Sequence, residues 1–198
     1  MIDIAQLQRR LAAHGYSLSA DGIAGPKTWT ALFAVGGASA SAAAAYGAAA
    51  AAGWTGAGID VAPLRVAHFM GQTATETGGF RYSVELGDAA YFAHYDGRLG
   101  NGPGDGYAYR GRGLVMLTGR ANYAEAGAAI GLSLVAQPDL AADPATAMRI
   151  ACHFWVTRRI ARLADADDVV SVTRAINGGL NGIDDRRRRT AIYKGLLL

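Results

Sequence analysis

The stretch PLRVAHFMGQTATETGGFRYSVEL, residues 63–86, decides the fold of this chain. Proline suits the first position of a helix and a Gly-Gly pair suits its end, so Leu64–Thr77 is predicted to form one helix. Apolar residues cover most of its circumference, as expected for a helix that is buried on nearly every side. One polar seam interrupts them, and its members at i, i+4, i+7 and i+8 are His68, Gln72, Thr75 and Glu76. A carboxyl group there is costly to bury unless it is paired, stays protonated or opens into a cleft.

After the glycines the hydrophobic period changes from helical to two, which predicts a half-buried extended segment. Its outward face should carry Glu85, with Arg81 and Ser83, while Phe80, Tyr82, Val84 and Leu86 face the core. Two carboxyl groups in different environments suit glycoside hydrolysis, in which one protonates the leaving oxygen and the other activates water or attacks. The alternative is that Glu76 is a helix-end ion-pair residue and Glu85 a surface glutamate.

The segment HFMGQTATETGGFRY, residues 68–82, resembles glycoside hydrolase family 19, the chitinase-type fold that many phage endolysins share. The resemblance continues through YRGRGLVMLTGRANY, residues 109–123, and AINGG, residues 175–179. It implies a mainly helical, lysozyme-like catalytic domain of the α+β type over residues 37–198. A small lobe of strands and loops should form one side of its cleft.

The resemblance also implies roles for individual residues. Glu76 is the general acid, Glu85 the general base, and Thr118 holds the attacking water together with Glu85. A hydroxyl suits that role because it can donate and accept at once. Met116 departs from the family, which usually has Gln there, and Thr75 stands where the family often has His. The substrate-binding residues implied by the same blocks, together with Arg189 near the acid, are Gln72, Tyr109, Arg112, Asn122, Asn177 and Arg189.

Residues 1–36 are predicted to form a small helical module. The stretch LQRRLAAHGYSLSADGIAGPKTWTAL, residues 7–32, resembles the peptidoglycan-binding module of cell-wall hydrolases. That resemblance implies that the loop is fixed by Asp21, Gly22, Gly25 and Thr28, while surface residues beside it touch the wall. The alternative is a purely structural helix pair that does not bind the wall.

The region between Gly87 and Gly113 is rich in Gly, Tyr and Asp and poor in helix formers. Its NGPGDG segment, residues 101–106, predicts a turn or a mobile loop. Aromatic side chains of this region are candidates to stack on sugar rings, although each alone is more often core or rim. These residues are Tyr91, Phe92, Tyr95, Tyr107 and Tyr109.

Composition limits the other classes of function. The formal net charge of +3 favours an acidic partner, such as an anionic cell wall. The run Arg186–Arg189 is an unconvincing nucleic-acid patch because two acids precede it and no aromatic platform adjoins it. The four histidines and the single cysteine, Cys152, are not in metal-ligand spacing, so we expect neither a metal nor a cofactor.

We therefore expect a monomeric endolysin that hydrolyses the β-1,4 glycan strand of peptidoglycan with inversion of configuration. The N-terminus, MIDIAQLQRR, lacks the layout of a signal peptide, which favours synthesis in the host cytoplasm. Access to the periplasm and wall would then require a membrane-permeabilising partner of the holin type. The alternatives are a chitinase with the same two carboxylates, a lytic transglycosylase that needs one acid only, and a wall-binding protein without catalysis.

Overall fold

The computed structural model describes the whole chain, residues 1–198, and confirms that the fold is mainly helical. Two short 3-10 helices cover Ala93–Tyr95 and Pro138–Ala142. No helix combines the length and the apolarity that crossing a bilayer requires. The eleven α-helices are α1 (Ile4–Ala13), α2 (Pro26–Val35), α3 (Ala40–Ala57), α4 (Pro63–Glu76), α5 (Ala89–Phe92), α6 (Asp105–Ala108), α7 (Arg120–Ile130), α8 (Pro144–Thr157), α9 (Ile160–Asp165), α10 (Val169–Asn177) and α11 (Ile183–Leu197).

Helix α4 is the central element, as the 63–86 stretch predicts. Pro63 occupies its first turn, and the chain leaves it through two glycines with positive φ, Gly78 and Gly79. On one side α4 crosses α11 at very short range: a Cβ on Gly71 would lie 2.2 Å from Oγ1 of Thr190 and 2.8 Å from its backbone nitrogen. Only a glycine permits this approach, and it brings α11 against the polar seam of α4.

One hydrophobic core joins the N-terminal helices to the rest of the chain. Leu7 of α1 and Trp29 of α2 are buried in the same cluster as Trp54 of α3 and Phe69 of α4. The rings of Trp29 and Trp54 lie 5.0 Å apart, and those of Trp54 and Phe69 lie 5.3 Å apart. The predicted boundary at residue 36 is therefore not a packing boundary, because α2 supplies the core of the larger domain.

The predicted half-buried strand after α4 does not form. Phe80 adopts a left-handed backbone with φ of 61°, and the expected core residues Tyr82 and Leu86 are 45% and 69% exposed. Beyond that point the chain makes only isolated bridges, of Val84 with Arg112 and of Arg112 with Leu117. The strand prediction is wrong because the left-handed residue breaks the alternation of faces and the paired segment is too short to extend it.

The NGPGDG segment is held by side chains on both sides. The carboxylate of Asp96 accepts hydrogen bonds from the amides of Gly104 and Gly106 at 2.7 and 2.8 Å. Asp105 accepts two hydrogen bonds from the guanidinium of Arg120, at 2.6 and 2.7 Å. Of the two possibilities, a turn or a mobile loop, the contacts favour a bonded turn.

Candidate active site

A cleft of about 540 Å³ opens at the end of α4 and contains both candidate carboxyl groups. Glu76 and Glu85 line it together with Thr118, Met116 and Asn177. Residues from the end of α4, the 82–86 segment, the 115–118 turn and the end of α10 thus meet around one opening. The outward orientation predicted for Glu85 rested on a strand that is absent, yet its side chain reaches the same space as Glu76.

Glu76, the last residue of α4, is fixed by a buried arginine. Its Oε1 accepts a hydrogen bond of 2.6 Å from Nη2 of Arg186, whose side chain is only 2% exposed. Arg186 also donates to Oε1 of Gln72 at 2.6 Å and to the carbonyl of Asn181 at 3.0 Å. Gln72 in turn donates to Oγ1 of Thr173 at 3.0 Å. The second oxygen of Glu76, Oε2, has no partner within the protein and is available to a ligand in the cleft.

Glu85 is held by backbone and by one phenol. The amide of Gly111 donates to its Oε2 at 3.0 Å, and the hydroxyl of Tyr95 donates to its Oε1 at 3.4 Å. Burial raises the pKa of Tyr95, and the charge of Glu85 raises it further, so the phenol remains a proton donor. A Cβ on Gly111 would lie 2.9 Å from Glu85 Oε2, so a larger residue there would require the Glu85 carboxyl group to shift.

Thr118 lies in the cleft, and its hydroxyl hydrogen is donated to another group of the protein. Its Oγ1 donates to the carbonyl of Met116 at 2.8 Å, across a turn in which Met116 has a φ of 47°. The hydroxyl therefore accepts, and does not also donate, when a water molecule approaches. A water that donates one hydrogen to Thr118 and the other to Glu85 keeps a lone pair free for attack.

The two predicted asparagines lie along the opening. Asn177 ends α10 and lines the cleft without a side-chain hydrogen bond to the protein. Asn122 donates to the carbonyl of Thr118 at 2.7 Å and lines an adjoining pocket of about 310 Å³. That pocket shares Met116, Thr118 and Asn177 with the cleft, so the two form one continuous surface.

Four of the predicted substrate-binding residues do not line the cleft and are held by other groups of the protein. Gln72 is fully buried and bonds to Arg186, as described above. Tyr109 is 5% exposed and donates to the carbonyl of Val135 at 3.1 Å. Arg112 is 2% exposed and donates to Asp139 and to backbone carbonyls. Arg189 donates to Asp185 at 2.6 Å, outside the cleft.

Arg186 and Tyr95 are the residues at this site whose roles the sequence analysis missed. Arg186 was considered only as part of an unconvincing nucleic-acid patch, although a carboxyl group at a buried helix end requires a cation, and that requirement points to one arginine of the 186–189 run. Tyr95 was noted only as a possible sugar-stacking ring. Its partner, Glu85, was expected on the outward face of a strand, and no sequence signal connected that face with Tyr95.

Hydrogen bonds of one glutamine side chain, Gln8, fix the N-terminal loop. Nε2 of Gln8 donates to Asp21 at 2.8 Å and to Thr28 at 3.0 Å, while the amide of Gly22 donates to Oε1 of Gln8 at 2.9 Å. Gly22 has a φ of 76°, and Gly25 precedes the first turn of α2. Hydrogen bonds from the Ile23 amide and from Gln8 lower the pKa of Asp21, which keeps its carboxylate an acceptor.

Other polar groups do not offer a competing reactive centre. No cluster of three or more histidine, cysteine or carboxylate side chains is arranged as a metal site. Cys152 borders an apolar groove of about 590 Å³ between α3 and α8, which contains no carboxyl group. Burial raises the pKa of Cys152 to about 12, so its sulfur stays a thiol at neutral pH and is a poor nucleophile.

Comparison with known proteins gives a consistent picture. The sequence profile of a family described as chitinase class I matches residues 30–175. A glycosyl hydrolase family 19 domain-containing protein of Haemophilus influenzae is 40% identical over 107 residues, which cover 52% of this chain and 50% of that protein. Chitinase 8 of Oryza sativa subsp. japonica is 36% identical over 116 residues, 58% of this chain and 43% of that protein. The chain thus spans about half the length of the curated relatives that it matches.

A solved structure supports the same fold. Chitinase C from Streptomyces griseus superposes with a TM-score of 0.58 at 28% sequence identity, over 68% of this chain and 72% of that one. The matched residues 30–175 include both glutamates, Thr118 and Asn122. They begin inside α2, which agrees with the packing of α2 into the main core.

Proposed function

Because residues 30–175 show that the chain belongs to glycoside hydrolase family 19, we propose that its cleft hydrolyses the β-1,4 bonds of bacterial peptidoglycan. One observation carries the proposal: Glu76, Glu85 and Thr118 line a single cleft, with the two carboxyl groups held by different partners. The family pattern supplies the reaction class, and the positions of these side chains supply the acid, the base and a place for water.

On the acid side, Glu76 protonates the leaving glycosidic oxygen. Arg186 binds Oε1, so the transferable proton belongs on Oε2, the oxygen that is free of protein partners. As the proton leaves, negative charge develops on Glu76 beside the buried guanidinium of Arg186. A fixed cation at the point where charge develops favours the transition state over the ground state.

On the base side, Glu85 takes one proton from a water whose other hydrogen bonds to Thr118. The water oxygen attacks the anomeric carbon as the bond to the leaving oxygen breaks, and the configuration inverts. Inversion predicts a carboxyl separation of roughly 6.5–9.5 Å, against about 5–5.5 Å in a retaining enzyme. The amide of Gly111 and the hydroxyl of Tyr95 position the carboxyl group of Glu85 by donating to its two oxygens.

The N-terminal segment supports peptidoglycan as the substrate. Residues 7–32 resemble a wall-binding module, and hydrogen bonds of Gln8 with Asp21 and Gly22 hold their loop in place. Beside it lies a pocket of about 620 Å³, bordered by Ser17, Ser19 and Lys27, which offers hydroxyl and ammonium groups to a wall polymer. The net charge of +3 adds a general attraction to an anionic wall.

The biological role that we propose is that of a phage endolysin. It would act as a monomer, be made in the host cytoplasm and reach the periplasm and wall once a holin-type partner has permeabilised the membrane. The combination of a hydrolase cleft with a wall-binding resemblance supports this role. Lysis of outer-membrane-permeabilised cells by the purified chain, together with its absence in intact cells, is the expected behaviour.

Chitin is the second candidate substrate, because the matched proteins of Oryza sativa and Streptomyces griseus are named chitinases. The same two carboxyl groups would cleave the bonds between its N-acetylglucosamine units. The N-terminal segment distinguishes the candidates, since it resembles a module for peptidoglycan.

Mass spectrometry of the products released from purified peptidoglycan and from chitin hexamer tests the proposal. We expect muropeptides with new reducing ends from peptidoglycan, no products from the Glu76→Gln variant, and retained wall pull-down by that variant. Anhydro ends would indicate a transglycosylase, and cleavage of chitin alone would overturn peptidoglycan as substrate. Binding without any cleavage by the wild-type chain would show that it is a wall-binding protein only.

A further inference from the structure

The pocket that adjoins the cleft carries two opposite charges without partners. Glu125 of α7 and Arg158, which caps the end of α8, both line this space of about 310 Å³. Neither side chain forms an ion pair or a side-chain hydrogen bond with the protein. The charges thus stand on the two helices that form the walls, next to a surface shared with the catalytic cleft.

The position of Arg158 is set by a ring. Its guanidinium carbon lies 4.5 Å from the centroid of Phe154, one helical turn earlier and also in the pocket wall. A guanidinium on a ring face keeps its N–H edges free for a carboxylate, because the stacking uses the plane and not the edges. The charge is therefore oriented without a protein acid to neutralise it.

Further polar groups in this pocket also lack partners. Nε2 of His153, another wall residue, is buried and has no hydrogen bond. Asn177, at the junction with the cleft, likewise has a free amide. Glu125 and Arg158 are exposed at the rim and His153 Nε2 is buried, an arrangement that suits a small polar ligand carrying both charges.

We propose that this pocket binds the zwitterionic amino-acid part of a peptide branch on the glycan strand, with Arg158 on its carboxylate and Glu125 on its ammonium. The proposal rests on the proposed function and deepens it, because the stem peptides of peptidoglycan carry free carboxylates and amines whereas chitin has neither. A strand in the cleft thereby places its peptide branch in the neighbouring pocket. Peptide recognition and bond cleavage become separate functions of two connected spaces.

The test compares initial rates on two preparations of one glycan, with stem peptides intact or removed by an amidase. We expect the wild-type chain to cleave the peptide-bearing strand faster. For Arg158→Gln and Glu125→Gln, kcat/KM on the peptide-bearing strand should fall about tenfold, as for the loss of one charge-assisted hydrogen bond. In these variants the rate on the peptide-bearing strand divided by the rate on the peptide-free strand should approach one. Arg158→Glu should lower this ratio further, because it places a negative charge opposite the peptide carboxylate.

Arg162→Gln is the matched control, because Arg162 is an exposed arginine on α9 outside this pocket and makes no side-chain hydrogen bond. It removes the same charge and should leave the ratio at its wild-type value. A ratio that is unchanged in both Arg158→Gln and Glu125→Gln, or that falls equally in Arg162→Gln, overturns the proposal. Failure of the wild-type chain to cleave either strand would instead overturn the proposed function.

Discussion

The two walls of the cleft hold their carboxyl groups by different means. The helical wall, formed by α4 and α11, fixes Glu76 through Arg186 at 2.6 Å, inside a network that includes the fully buried Gln72. The loop wall, formed by residues 82–86 and 111–118, holds Glu85 by one backbone amide and a phenol at 3.4 Å. On the helical wall, buried side chains hold the carboxyl group of Glu76, whereas on the loop wall a backbone amide holds that of Glu85.

This difference has a chemical meaning. A general acid must present one proton to one oxygen, and the hydrogen bond from buried Arg186 to the other oxygen fixes that geometry before the substrate binds. A general base that acts through water can tolerate more movement, since the water adjusts its position. We therefore expect a rigid helical wall and an adaptable loop wall.

Replacing Arg186 with Met should have the largest effect on stability. Glu76 would lose its buried partner and Gln72 a charged donor, which should lower the free energy of unfolding by about 3–5 kcal/mol. Urea unfolding measures this change. Arg187→Met is the control: Arg187 is 53% exposed and pairs only with Asp184, so its loss should cost less than about 1 kcal/mol. Equal losses in the two variants would show that the Arg186 network is not the stronger one.

Gly71→Ala should follow in size. The added Cβ would lie 2.2 Å from Thr190 Oγ1 and 2.9 Å from its Cα, so the helices themselves must separate. We expect a loss of about 1–3 kcal/mol and a reduced kcat, because Arg186 moves away from Glu76. Thermal unfolding and kinetics on one substrate measure both. Gly195→Ala lies on α11 where a Cβ meets nothing, and it should be neutral or stabilising.

The helical wall should also make stability depend on pH. His68 of α4 is fully buried, and burial lowers its pKa from 6.5, although Asp167 accepts a hydrogen bond of 2.9 Å from His68 Nε2 and opposes the shift. The unfolded chain therefore binds a proton near pH 6.5 that the folded chain binds only at lower pH. Stability is fully present above pH 6.5 and decreases as the pH falls below it, by at most about 1.4 kcal/mol per pH unit for one proton.

Urea unfolding at a series of pH values below 6.5 tests whether the folded chain keeps His68 neutral. The pKa values of Asp167 and Asp185 lie below the ordinary value of 3.8, so their own losses occur only at more acidic pH. Lys194 also pairs with Asp167, on the side away from His68 Nε2, through the other carboxylate oxygen. A stability that is flat down to pH 4, well below the ordinary pKa of a histidine, would contradict a neutral buried His68.

Tyr95→Phe should have the smallest effect, on the loop wall. It removes a long hydrogen bond of 3.4 Å to Glu85 while the Gly111 amide remains, so kcat should fall less than about fivefold. Tyr107→Phe serves as the control, because Tyr107 does not bond to Glu85 and its ring contacts Arg110 instead. A fall in kcat larger than that in Gly71→Ala would show that catalysis depends more on the loop wall than on the helical wall.

The sequence predicted the helical wall better than the loop wall, for a physical reason. The bounds of α4 follow from Pro63, the apolar circumference and the two glycines, all of which are local signals. The loop wall depends on a left-handed Phe80 and on a hydrogen bond between Gly111 and Glu85, 26 positions apart, which period-two alternation does not encode. Glu85 was found from its residue type and the family resemblance, whereas its orientation was not.

The arginine run illustrates the same limit. Arg186 and Arg189 are three residues apart on α11 and share a face, so the sequence indicates the face but not which turn meets Glu76. The choice depends on where α11 crosses α4, and that position is set by the close approach at Gly71 and Thr190. Tyr109 and Arg112 lie outside the cleft for a similar reason. Tyr109 packs in a buried cluster with Tyr123, and Arg112 donates to the hydroxyl of Tyr123.

The most direct test of the account is a double-mutant cycle on the two carboxyl groups, with kcat measured on peptidoglycan for Glu76→Gln, Glu85→Gln and the double variant. Acid and base act in one step, so each single change should lower kcat by about 10²–10⁴, and the double variant should be little slower than the slower single one. Full activity in Glu85→Gln would contradict a water-activating base at that position. Full activity in Glu76→Gln would contradict the acid, and with it the assignment of this cleft as the catalytic site.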